Sequence, residues 1–499
     1  MAKGPFLTFE DCKMAFSLFT CMCGVGTLSM PANFARAGMV LGFFAAAFMG
    51  LANIYASVSM SKVLLLAPNS VKTFGDLGEW AMGKTGRWLC VVSQMGSCLL
   101  MPCVFLVLGG GLLDGLFPGA FSTTTWIILM TITVLPLSLV PTLKEGAGAA
   151  FAACMGTIIA DIIGVGIILH GMRGHPSVPS PDLELSQVAG AFGSLAMGFG
   201  AGIVLSDLQR QHSEPSRMPR VVVVTMVFIM FMLMALGFAP YSAIGCQVSG
   251  NLLYVIYPDA SSGLTELGFA PDWGMVVLAY LAMQMHITIA FSVLINPAFF
   301  IAERLVLGMH AKKSDDIENG TGYQEAGTPA APADNDKHDI ARLSIMSDRI
   351  SKASSVPDVL NENHTNHNHE AEVAEYQGAN AIKYVVLRMT IIVILVVLSI
   401  IFKDHFSDFV DFVGASAITA NCVILPIIFY LVKTWEKVPV YERIGAGTVL
   451  IVCTVLGCYS TYTAGKNLFF PSESDTIFPY CDEEFENTVY YNYTAVHEP

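Results

Sequence analysis

Apolar residues in this chain come in runs of about 20, divided by short polar connections, with no strand-length alternation. A run of that size crosses ~30 Å of hydrocarbon as a helix, and the lack of alternation argues against a β-barrel. The pattern predicts eleven spans, at 13–37, 40–66, 88–113, 124–141, 147–169, 187–206, 220–240, 273–301, 383–402, 408–432 and 443–464. Pro68, Pro118 and Pro141 fall in the connections, where a missing N–H does least harm. Residues 74–83 read as a short amphipathic helix on the inner surface.

The predicted organisation is a cytoplasmic N-terminus (1–12), spans one to eight (13–307), a cytoplasmic loop (308–381), spans nine to eleven (382–465) and an outer tail (466–499). The loop is rich in Ser, Asn, Asp and His and has too little apolar surface to fold alone, so disorder is expected. Within it, His364, His367 and His369 read either as metal ligands or as a solvated polar run. Glu10 and Asp11 precede the first apolar stretch, which leads directly into a second, unlike a signal peptide.

Composition agrees with this pattern. Of 499 residues, 54% are hydrophobic and 13% charged, about half the charged share of a soluble domain, and mean hydropathy is +0.58. The net charge of −14 comes from acid in the loop and the tail, and no basic patch points to nucleic acid. With the N-terminus inside, only Arg36, Arg173, Lys403 and Lys466 of the 26 lysines and arginines fall outside. The tail is then extracellular or lumenal, at a plasma or a vacuolar/lysosomal membrane. Asn492-Tyr493-Thr494 on that side is a glycosylation sequon. Cys246 and Cys481 are the two cysteines predicted outside, and a disulfide between them is an expectation. The other cysteines show no metal spacing, and neither a metal site, a cofactor site nor an enzyme's nucleophile–base pair or phosphate loop is legible.

Two spans hold paired glycines. Span one reads Gly24-Val25-Gly26-Thr27-Leu28-Ser29-Met30-Pro31 and span six Gly198-Phe199-Gly200-Ala201-Gly202. Glycine eases departure from helical geometry and proline lacks the N–H, so each span is expected to open. Freed backbone groups need partners that lipid does not offer. Spans one and six correspond in a fold of two five-helix halves, and paired interruptions there point to a transporter's binding site. Close helix packing is the alternative. Asp161, inside span five, reads as a proton carrier or as a structural hydrogen-bonding group. His286, in span eight, reads as a proton site or as a packing histidine. Lys144 with Glu145, and Asp207 with Arg210, read as gating pairs or as exposed pairs worth little.

These motifs resemble the amino acid/auxin permeases. Span one has that family's G-x-G-x-L-x-x-P pattern in Gly24, Gly26, Leu28 and Pro31. The stretch from Leu195 to Gln209 is similar to one that ends in Glu-Ile-Gln, with Asp207 replacing the Glu. Span eight, from His286 through Asn296-Pro297-Ala298-Phe299 to Glu303, and span ten, with Gly414-Ala415 and Leu425-Pro426, also fit. The resemblance covers nearly all of the chain except 308–381 and the tail.

It implies an all-α polytopic membrane protein of LeuT-type fold, a five-plus-five inverted repeat with an eleventh helix. It implies secondary transport of amino acids by alternating access, often proton-coupled and sometimes sodium-coupled. Backbone groups of Gly24, Val25, Gly26 and Thr27 would then bind the substrate carboxylate. Phe199, Gly200 and Ala201 would face its amino group and side chain. Sodium-coupled relatives often carry Asn where Thr20 stands here, which favours a proton, although Thr288 and Ser292 remain possible hydroxyl ligands for sodium. An amino acid sensor signalling through 308–381 is the further alternative.

Overall fold

The structure is a computed structural model that describes residues 6–68, 71, 73–139, 147–173, 179–181, 183–248, 250–309, 376, 378–471 and 476–487. The sequon at Asn492, the pair Lys144 and Glu145, the histidines His364, His367 and His369, and nearly all of 308–381 lie outside these residues. Among the described residues every extended element is helical, and two isolated β-bridges, Pro181–Cys481 and Pro258–Thr265, lie in loops.

Nine helices among the described residues are long and apolar enough to cross a membrane, and Thr123–Ser138 is a shorter apolar one. The chain opens with α1 (Phe9–Met22), α2 (Val25–Leu28) and α3 (Met30–Leu66). Gly38 leaves helical geometry inside α3 (φ 70, ψ 168), between the first and second predicted spans. α4 (Phe74–Leu116) has a similar corner at Gly83, which sets the amphipathic turn apart from span three. Then follow α5 (Thr123–Ser138), α6 (Ala147–Gly171), α7 (Leu185–Gly198), α8 (Gly202–Gln211), α9 (Met218–Ile244), α10 (Leu252–Val255) and α11 (Trp273–Ala302). The last are α12 (Ala379–Ile401), α13 (Phe406–Val413), α14 (Leu425–Thr434) and α15 (Val440–Phe469).

The helix starts are written in the sequence. Thr8 and Asp11 form a reciprocal capping box at α1, and Thr73 and Asp76 form one at α4. Each such cap contributes about 1 kcal/mol. Span ten is less regular: two π-helical stretches, Gly414–Ile418 and Ala420–Ile424, join α13 to α14. Thr419 Oγ1 donates to the Gly414 carbonyl at 2.8 Å, across that widened turn.

The described chain divides into Met1–Ile301 with Arg388–Pro499, and Ala302–Leu387. In the second unit the Tyr376 hydroxyl donates to Glu303 Oε2 at 2.9 Å. In the first, Phe44, Leu51, Val92, Ile132, Phe231 and Ile451 are all exposed, as a lipid-facing surface requires. Lipid gives apolar side chains no reason to associate, so helices are held by close fit. Glycines supply it: a Cβ on Gly193 would lie 2.2 Å from the Asp411 carbonyl oxygen, and one on Gly414 would lie 1.8 Å from the Gly193 carbonyl oxygen. Spans six and ten therefore touch backbone to backbone.

Gly193→Ala should lower the apparent melting temperature of the detergent-solubilised protein, at an overpacking cost of about 1–3 kcal/mol. Gly447→Ala, where an added Cβ meets nothing within 4 Å, should leave it unchanged. Equal melting temperatures for the two variants would contradict the close contact.

Candidate functional site

Span one is interrupted at Cys23 and Gly24. α1 stops at Met22, Cys23 is extended (φ −88, ψ 166), and Gly24 takes φ 109, ψ −105. That φ favours glycine, and a Cβ there would also lie 2.5 Å from His286 Nε2. The chain turns helical again at Val25 and stays so through Ser29 (φ −83, ψ −7) into α3. Pro31 does not open the helix. It sits in the first turn of α3, where its missing N–H costs little.

The break turns two helix ends toward each other. Carbonyl groups finish α1, while the N–H groups of Val25, Gly26 and Thr27 begin the second half without intrahelical acceptors. Leu28 N–H donates to the Gly24 carbonyl at 3.1 Å, and the Thr27 hydroxyl donates to the same oxygen at 2.9 Å. The Cys23 carbonyl lies 2.9 Å from His286 Nε2, and His286 Nδ1 lies 3.0 Å from the Ala153 carbonyl of α6. His286 is fully buried, so its ring joins spans one, five and eight.

Asp161 of α6 belongs to the same neighbourhood, close to Cys23 and Thr27. The Thr27 hydroxyl gives its one proton to Gly24, so it can meet buried Asp161 only as an acceptor.

Span six breaks between α7 and α8. Phe199 leaves the helix (φ −105, ψ 5), and Ala201 N–H donates to the Phe199 carbonyl at 2.8 Å in a tight turn. The two breaks touch: a Cβ on Gly26 would lie 2.5 Å from Gly198 Cα. The Phe199 ring is buried, and its Cε1 would lie 3.3 Å from a Cβ on Gly50 of span two. Gly200 and Gly202 face Ile418 and Cys422 of span ten. Span six meets the first break through the backbone of Gly198. Gln94 of span three donates to the Ile203 carbonyl, in the first turn of α8, at 3.3 Å.

The hydroxyls named for sodium each have a hydrogen-bond partner. Thr20 Oγ1 donates to Phe16 and lies 3.1 Å from the Ala150 carbonyl. Thr288 donates to Gln284, and Ser292 lies 3.2 Å from Ser138 Oγ. Each is engaged with its own helix or a separate neighbour. Thr288 lines a cavity of about 420 Å³ with Leu113, Trp126 and Gln284, among spans three, four and eight and apart from the break.

Ion pairs stand at both ends of the broken helix. On the tail side Arg36 Nη1 meets Asp411 Oδ2 at 2.5 Å, Arg36 Nη2 donates to the Tyr480 hydroxyl at 2.9 Å, and Ser194 donates to Asn33. Cys246 and Cys481 are joined by a disulfide on this side. At the other end Asp11 binds Arg217 through both oxygens and lies 2.9 Å from His212 Nε2. The Arg217 guanidinium holds the Asp11 carboxyl well below the usual carboxylate range, so this clasp stays ionised at neutral pH. Asp207 and Arg210 approach only to 3.9 Å and are partly exposed, a pair of little weight.

Sequence reasoning missed Arg36, Asp411 and the Asp11–Arg217 clasp. Arg36 and Asp411 had a legible signal, since both are ionisable residues inside predicted spans and such residues are seldom unpaired.

A family model described as transmembrane amino acid transporter protein matches residues 12–466. Among curated relatives, the amino acid transporters AVT1E and AVT1D of Arabidopsis thaliana are each 25% identical, over 260 and 245 residues. These matches take in 48% and 46% of this chain and 47% and 43% of theirs, so the chain spans about half the length of the curated relatives it matches. Among solved structures, a mutant of the Eremococcus coleocola manganese transporter aligns with TM-score 0.53 at 12% identity, over 95% of this chain and 91% of that one. MhsT in complex with L-phenylalanine aligns with TM-score 0.53 at 11% identity, over 91% and 98%. At such identity the likeness is one of fold, and the fold is LeuT-type. The chain is an integral membrane protein that belongs to the transmembrane amino acid transporter family.

Proposed function

We propose that this chain carries amino acids across a membrane by secondary active transport, with the breaks in spans one and six opening alternately to either side and a proton as the coupling ion. The observation that carries this reading is the placement of His286. Both ring nitrogens face backbone carbonyls, which only accept, while a neutral imidazole has one N–H to donate. The protonated ring satisfies both. Protonation ties the break of span one to span five, and loss of the proton releases one of the two ties. A proton bound here therefore biases where span one rests.

The facing helix ends support a zwitterionic substrate. An α-carboxylate suits the N–H groups of Val25, Gly26 and Thr27, and an ammonium suits the carbonyl end of α1. The Arabidopsis relatives are named amino acid transporters, and MhsT was captured with L-phenylalanine, which supports the same class. Asp161, buried close to Thr27, supports a second protonatable group beside the break. The lysine and arginine bias and the Cys246–Cys481 disulfide, a bond of oxidising compartments, support an exoplasmic tail. Asn492 is proposed as its glycosylation site.

Purified protein in proteoliposomes should accumulate at least one labelled amino acid under an inward proton gradient, and a protonophore should abolish the accumulation. Absence of uptake for all twenty amino acids at two pH values, with and without sodium, would overturn the reading. His286→Gln should retain counterflow exchange but lose gradient-driven accumulation by about tenfold, within reach of losing one charge-assisted hydrogen bond. Wild-type gradient dependence in both His286→Gln and Asp161→Asn would remove the proposed proton sites. Gly24→Ala should abolish uptake, because the added methyl group meets His286 and the backbone needs positive φ.

A further inference from the structure

Arg36 and Asp411 form an ion pair buried between spans one and ten, on the tail side of the break. It is incompletely served: Asp411 Oδ1 and Arg36 Nε have no hydrogen-bond partner among the described residues. Buried pairs compensated this thinly are held weakly unless further groups join them. The further group comes from far along the chain. The Tyr480 hydroxyl accepts from Arg36 Nη2 at 2.9 Å, and the Tyr480 ring centroid lies 4.9 Å from the guanidinium carbon. A hydrogen bond and a cation–π contact thus fall on one guanidinium.

Tyr480 has little regular structure to hold it, but its neighbour is anchored covalently. Cys481 is bonded to Cys246, which follows span seven at a sequence separation of 235. Around this bond Cys246 N–H donates to the Pro179 carbonyl at 3.2 Å, Gln247 Nε2 donates to Phe485 at 3.4 Å, and Phe478 is buried.

We propose, on the reading that the break opens alternately to either side, that the disulfide-anchored tail is a latch on the exoplasmic opening. The bond to Cys246 fixes Tyr480 over Arg36, and Tyr480 acts as a positioning residue that keeps Arg36 on Asp411. Opening toward the tail side requires Arg36 to leave Asp411 and Tyr480 together. The tail thereby sets how often the break is reached from that side.

Cys23, buried at the break, serves as a built-in reporter. The full chain in sided proteoliposomes is treated with a membrane-impermeant maleimide from the tail side, and labelling of Cys23 is timed by peptide mass spectrometry. Tyr480→Ala, and separately the double variant Cys246→Ser/Cys481→Ser, should label about tenfold faster than wild type. Tyr480→Phe, which keeps the ring and loses the hydroxyl, should label a few-fold faster and retain the wild-type melting temperature. Cys453, buried in α15, should label at the wild-type rate throughout. Rates for Cys23 within twofold of wild type in all variants would overturn the latch, and so would a parallel rise at Cys453, which marks general loosening. The readout needs no substrate, so failure of every uptake assay would leave the latch test intact.

Discussion

A backbone carbonyl freed inside a bilayer has no water to turn to, and the Cys23 carbonyl is such a group. Gly24 releases it by taking a conformation that side chains disfavour, and His286 meets it from span eight. Other features of the site arrange themselves around this contact. The ring must reach the break, so position 24 cannot carry a Cβ. Its second nitrogen rests on Ala153, which draws span five in and brings Asp161 to the same place. The second half of span one is then free to lie against span six, where Gly26 and Gly198 touch.

Much of this was legible in the sequence, and unevenly so. Spans are dictated by hydrophobic run length and their starts by caps such as Thr8-x-x-Asp11, both local properties of the chain. The breaks were legible because Gly24 and the Gly198–Gly202 cluster are locally costly in a helix. Pro31 misled, since proline disrupts a helix interior but suits a first turn, and only the three-dimensional start of α3 tells which applies.

The pairings Arg36–Asp411 and Asp11–Arg217 join residues hundreds of positions apart, and no spacing rule reaches that far. Burial was the available signal, because a charge within a span needs a partner even when the sequence does not say which. The two pairings also differ in kind. At the N-terminal end Asp11 is served by several donors, whereas at the tail end the guanidinium is shared between one carboxylate and a phenol.

The carboxylate of Asp11 holds two offices at once. It accepts the Thr8 N–H that caps α1, and it binds Arg217. When Arg217 lets go, the capping box remains, so α1 need not fray in order to part from the connection between α8 and α9. The segment from Thr8 to Met22 is therefore a rod whose starting turn is fastened to itself, and the irregular backbone it meets next is the joint at Cys23 and Gly24.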